Sequence, residues 1–165
     1  MKFKTALLHT LHIDSRLGGV TLAATDDGLA GLWFDRQRHL PDMRGWQPDD
    51  AHPVLRAAAA QLQDYFAGTR NHFDLPLDLS HGTAFQQAVW QALLAIPAGQ
   101  TTSYGTLSQR VGNPAAVRAV GAAVGRNPIS VIVPCHRVLG ADGSLTGYAG
   151  GLERKSALLA LEGAR

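Results

Sequence analysis

The stretch TRNHFDLPLDLSHG, residues 69–82, divides two halves of the chain that follow different patterns. Before it, short apolar runs alternate with tight turns. After it, apolar residues recur at helical spacing. The stretch is rich in polar residues and holds a proline, and it reads as an extended connector and the best-placed domain boundary. With 165 residues, 45% hydrophobic and 17% charged, the chain has the makings of one large globular domain or two small ones. The expected division is 1–78, connector included, and 79–165.

In the first half, ALLHTLHI pairs with VTLAAT across DSRLGG, and DDG turns the chain into LAGLWF. The start, MKFKTALLHTLHIDS, is basic and then apolar, as a signal peptide is. His9, His12 and Asp14 interrupt the apolar run, however, and a first β-strand fits better. Residues 36–52 are polar with two prolines and read as a long loop. A helix follows, with Pro53 in its first turn, Val54, Leu55, Ala58, Leu62, Tyr65 and Phe66 on one face, and Gly68 beyond its end.

The second half opens with a T-x-x-Q capping box, Thr83 and Gln86, for a helix carrying Phe85, Val89, Ala92, Leu93 and Ile96 on one face. A short strand at Thr101–Ser103 leads into YGTLSQRVG. In NPAAVRAVGAAVG, Asn113 is expected as N-cap and Pro114 as the first helical residue. Two short helices joined near Gly112 make a helix-turn-helix pattern, which packed helical hairpins also produce. The second of them is almost all alanine and glycine, with Arg118 as its one charge. Close approach to a foreign surface and tight helix–helix packing explain that composition equally well.

Net charge is +2, but residues 1–80 hold 8 Lys/Arg against 10 Asp/Glu, and residues 81–165 hold 7 against 3. A basic second half suits a polyanionic partner without requiring one. No run of 18 apolar residues is present, so no membrane span is expected. A single cysteine excludes an internal disulfide and fits the reducing cytoplasm.

That cysteine stands in VIVPCHRVLG. Val131–Val133 are expected as a short buried strand ended by Pro134, which would fix Cys135 in place beside His136. A neighbouring imidazole favours the thiolate, the reactive form of the group. A lone cysteine is also commonly a small buried hydrophobe, and a cysteine hydrolase would start from the same pair. No second cysteine or suitably spaced histidine supports a metal site, and no cofactor is implied.

PCHRV resembles the active-site motif of the methylated-DNA–protein-cysteine methyltransferases, the 6-O-alkylguanine-DNA alkyltransferases. FQQAVWQALLAIPAGQTTSYGTLSQRVG, NPAAVRAVGAAVGRNPISVIVPCHRVLG and GSLTGYAGGLERKSALLALEG match in order, over residues 83–163. The resemblance implies an α+β protein of two small domains. The first would be a ribonuclease-H-like sheet with helices, the second mostly helical with a helix-turn-helix and the active-site cysteine.

It further implies that Cys135 accepts an alkyl group once and irreversibly from 6-O-alkylguanine, and from 4-O-alkylthymine, in duplex DNA. His136 would deprotonate Cys135 through a water, Glu162 would orient His136, and Tyr104 would donate a proton toward the departing guanine and help rotate the nucleotide. Arg118 would replace the flipped nucleotide in the stack. Ala119, Gly121, Ala122 and Arg126 would face the minor groove with it. Asn127 would tie the recognition helix to the active-site loop. Val138, Tyr148, Ala149, Ser130 and Arg137 would line the pocket, and Lys155 would support the loop or the last helix. Many relatives have serine at the place of Ala149 and some have proline at Ser130, so the alkyl side of the pocket is expected to differ in shape. The resemblance implies a monomer, with cooperative assembly on DNA as an option, and the single cysteine excludes the four-cysteine zinc domain fused to some relatives. Relatives that sense damage without repairing it lack the cysteine.

Overall fold

The computed structural model describes Phe3 and residues 8–165. Two antiparallel hairpins build the first half: β1 (His9–Ser15), β2 (Gly18–Thr25) and β3 (Gly28–Phe34), joined by two-residue turns. The expected first strand covered residues 6–13, of which 6 and 7 lie outside the described residues. The polar loop contains one pairing that its sequence did not announce. Gln47–Pro48, β4, runs parallel to β1 at His9 and Thr10, giving the sheet order β3-β2-β1-β4.

Helix α1 (Pro53–Phe66) packs its Leu55, Ala58, Leu62 and Tyr65 face on the sheet. His52 caps it, its Nδ1 accepting from the Val54 amide, and proline takes the first turn, where its missing N–H costs nothing. Helix α2 (Ala84–Leu94) has the full capping box of Thr83 and Gln86, worth about 1 kcal/mol. Strand β5 (Thr102–Ser103) pairs in parallel with β6 (Val138–Leu139). Helix α3 (Tyr104–Arg110), capped by Ser103, packs against α4 (Val117–Gly125). Helix α5 (Leu152–Leu161) closes the chain.

Two expectations are corrected. Helix α4 starts at Val117 with Ala116 at its cap, not at Asn113 and Pro114. The Asn113 carbonyl instead accepts from the Ala116 amide in a turn, which absorbs the expected first helical residues. Nor do Val131–Val133 form a strand. Val131 adopts a left-handed conformation with φ 71°, uncommon for a β-branched side chain, and the chain folds back as a turn. Its hydrogen bonds run from Ile132 N to Ser130 O and from Val133 N to Ile129 O.

The two halves share one apolar core. Leu22, Leu32, Tyr65, Trp90, Leu107, Val120 and Leu158, drawn from both, belong to a single buried cluster. Strand β3 is buried along its whole length, and its outer edge is paired with segments that come much later. Leu29 bridges to Leu77 in the connector, and Leu32 to Ile129 just ahead of the cysteine turn. A second, smaller cluster of Leu8, Ala23, Ala30 and Trp33 covers the other face of the sheet.

Candidate active site

Pro134 (φ −83°) hands the chain from the Val131 turn into a single 3-10 turn, Cys135–Arg137, and then into β6. The Cys135 amide donates to Val133 O and the Arg137 amide to Pro134 O, so the thiol sits on a hydrogen-bonded turn. Asn127, at the end of α4, holds that turn from below. Its Nδ2 donates to Val133 O at 2.7 Å, and its Oδ1 accepts from Ile129 N at 2.9 Å.

Cys135 is 7% exposed and lines a cleft of ≈ 330 Å³, within the usual range for small-molecule sites. Of the residues expected at the site, Tyr104, Gly121, Ala122, Arg126, Asn127, Ser130, Tyr148 and Ala149 line this cleft with Cys135. Arg118 and Ala119 lie on the exposed outer face of α4, outside it.

Two residues expected at the pocket do not line this cleft with their side chains. Val138 is wholly buried in β6, where it pairs with Thr102, outside the lining of the cleft. Arg137 turns away from it: Nε donates to Glu162 Oε1 at 2.9 Å, Nη2 to Glu162 Oε2 at 2.8 Å, and Nη1 to Ile96 O at 2.6 Å. Buried guanidinium and carboxylate groups must pair, and this fork satisfies both.

Glu162 also meets His136, with Oε2 and Nε2 2.9 Å apart, and the two side chains are 2% and 0% exposed. Burial alone would raise the Glu162 pKa, but bonds from Arg137 and His136 outweigh it and hold the carboxyl at about 2. An ionised carboxylate only accepts, so Nε2 carries the proton that bonds it. The imidazole pKa is lowered by burial, with Arg137 and Lys155 adding to the effect against Glu162. His136 is therefore neutral at physiological pH, with its lone pair on Nδ1. That atom is buried and has no partner among the described residues. Burial pushes the Cys135 thiol up to about 11, against the opposing pull of Asn127 and Lys155. The resting pair is thiol and neutral imidazole, an acid beside a base.

The loop after β6 closes the cleft. Wholly buried Lys155 donates from Nζ to Thr146 O at 2.6 Å and to Gly147 O at 3.3 Å. Burial lowers the pKa of its ammonium to about 8. Gly150 lets the loop pass close to β3, since a Cβ there would meet the Tyr148 ring at 2.8 Å and the Phe34 ring at 3.1 Å. Tyr148 is buried, which holds its phenol well above the ordinary pKa, with Ser130 acting against the shift. Tyr104 is half-buried, and burial raises its phenol above the ordinary pKa.

Sequence reading missed the contribution of the first half. Arg38 and His39, from the polar loop, line the same cleft, and the Arg38 amide donates to Ala149 O at 2.9 Å. Tyr65, read as part of an apolar helix face, donates its hydroxyl to Glu162 Oε2 at 2.6 Å. Neither has a local signature, because each depends on a contact between distant segments.

An α+β fold in which a helix-turn-helix borders a cleft with a buried thiol, a neutral histidine and an ionised carboxylate defines a narrow class. The family model described as 6-O-methylguanine DNA methyltransferase, DNA binding domain, matches residues 84–164, and that of its ribonuclease-like domain matches residues 8–79. The methylated-DNA–protein-cysteine methyltransferase of Mycobacterium tuberculosis is 50% identical over 159 residues, 96% of this chain and 94% of that protein. The Haemophilus influenzae protein of the same name is 44% identical over 96% of this chain and 87% of its own length. The crystal structure of Mycobacterium tuberculosis OGT in complex with DNA superposes with a TM-score of 0.86 at 49% identity, covering 96% of this chain and 94% of the other. The chain belongs to the methylated-DNA–protein-cysteine methyltransferase family.

Proposed function

We propose that this protein repairs DNA by direct reversal, taking the alkyl group from 6-O-alkylguanine onto Cys135 in a single irreversible turnover. DNA is its partner, as the complex of the M. tuberculosis relative supports. The observation that carries the reading is the thiol at the cleft, one residue from a neutral imidazole whose free Nδ1 is backed by an ionised carboxylate.

In this mechanism a water relays the Cys135 proton to His136 Nδ1. The Sγ electron pair forms a bond to the alkyl carbon, the carbon–oxygen bond breaks, and guanine leaves with the electron pair of that broken bond while Tyr104 gives a proton toward it. The target carbon must leave the base stack, at a cost of roughly a few kcal/mol. Arg118 would fill the vacated place from the exposed face of α4, whose alanines and glycines fit a minor groove. Arg126 and Arg38, at the cleft, would add positive potential for the phosphates. Tyr148, Ala149 and Ser130 would contact the flipped base, and 4-O-alkylthymine would be a further substrate.

Residues 79–165 would bind DNA and accept the alkyl group, with residues 1–78 as a supporting domain. The protein would act as a monomer in the cytoplasm, where a free thiol persists. Among the described residues no helix is long and apolar enough to cross a membrane.

Incubation with duplex DNA containing 6-O-methylguanine should add one methyl mass to the peptide bearing Cys135, and Cys135→Ser should abolish this while still binding the duplex. Several repair events per molecule would overturn the single-turnover reading. Binding without transfer by the natural chain would make it a damage sensor, and turnover of a small ester would make it a hydrolase.

A further inference from the structure

Glu162 receives more donors than are needed to orient one histidine. Its Oε2 is shared by His136 Nε2 at 2.9 Å, Arg137 Nη2 at 2.8 Å and the Tyr65 hydroxyl at 2.6 Å, while Oε1 takes Arg137 Nε at 2.9 Å. Tyr65 reaches it from α1, 97 residues away in the chain and in the half that carries no thiol. We propose that Tyr65 is a positioning residue of the alkyl-transfer site, which acts through Glu162 to fix the orientation and protonation of His136. This rests on the function proposed above.

A phenylalanine would fill the same space. The Tyr65 ring is 2% exposed and packs on Phe66 and Phe73, with centroids 5.3 and 5.4 Å away. What phenylalanine lacks is the hydroxyl, and that hydroxyl is spent entirely on the carboxylate. The bond is charge-assisted and short, the stronger kind. Burial first, and then the charge of Glu162, hold the Tyr65 phenol well above its ordinary pKa, so it donates at every pH of interest.

The consequence for His136 has a definite direction. Each donor on Oε2 withdraws negative charge from the atom that meets Nε2, and so weakens the pull of Glu162 on a second imidazole proton. The other charges facing His136 are Arg137 on the 3-10 turn and Lys155 on α5, both disfavouring the imidazolium, and Glu162, favouring it. Among these contacts Tyr65 is the one supplied by the sheet half. Removing its hydroxyl leaves a more basic carboxylate, a more readily protonated His136, and less free Nδ1 at mildly acid pH.

The test uses the full chain and Tyr65→Phe. Single-turnover methyl transfer from a 6-O-methylguanine duplex is measured from roughly pH 5 to 9, and the His136 imidazole is titrated by NMR in both proteins. The variant should move the acid limb and the His136 titration up by about half a unit, a roughly threefold loss at the acid end, with the alkaline rate within about twofold. A loss by the same factor at every pH, or an unmoved His136 titration, would overturn the proposal and leave Tyr65 as core. Should Tyr65→Phe not fold, a fluorotyrosine incorporated at position 65 keeps the packing and strengthens the donor. The titration should then move down, and no movement overturns the proposal. If neither protein transfers methyl but the His136 titration shifts, the positioning role stands and the repair reading falls.

Discussion

Behind Cys135 and in front of it, the molecule solves opposite problems. Behind lies a carboxylate bonded by Arg137, His136 and Tyr65 and 2% exposed. In front lies α4, where Arg118, Ala119 and Ala122 are exposed. The rear is complete when the chain has folded, and its order is settled in advance of any reaction. Under the proposed function the front would meet DNA, a surface that the molecule does not contain. Chemistry here belongs to the fold, whereas recognition belongs to the complex.

The contrast breaks most visibly at Glu162. Glu162→Ala strands the Arg137 guanidinium in the core, and should cost about 3 kcal/mol in denaturant unfolding. It should also slow single-turnover methyl transfer about a hundredfold. A variant as stable as the natural chain would mean that the network relaxes around the loss. Next in size is Arg118→Ala on the other side. Stability should stay within about 0.5 kcal/mol. Transfer from duplex DNA should fall about tenfold, with reaction of the free 6-O-alkylguanine base unchanged. Equal losses on duplex and free base would end the division between front and rear.

A smaller effect separates the two by pH. Glu162 protonates near about 2 in the folded protein, against an ordinary value of 4.5. Its stabilisation is fully present above the higher value and is lost as pH falls toward the lower. Asp78 in the connector behaves likewise, held at about 2 by Ser80 and Thr25 in spite of burial. Urea midpoints should fall over that acid range, and Glu162→Gln should flatten the curve.

What the sequence disclosed follows the reach of each interaction. The capping box of Thr83 and Gln86 spans four positions and was legible, as were the hairpins and the proline-led α1. The adjacency of Cys135 and His136 was visible, but Glu162 acquired meaning only through resemblance to a family. The Val131 turn was missed because three β-branched residues in a row favour a strand, and only the tertiary bonds around Ile129 and Asn127 hold the chain otherwise. The direction of Arg137 is hidden for a similar reason, since the partner that decides it lies 25 residues on. Tyr65 lay beyond any local rule.

The pairing of β3 with Ile129 has a consequence for handling the two halves apart. Leu32 N donates to Pro128 O and Ser130 N to Leu32 O, so the second half finishes the ladder of the first. Cut from the second half, the sheet would present bare amides and carbonyls along its most apolar strand, an open template for a second copy of itself. Aggregation, rather than a soluble domain, is the expected fate of that fragment.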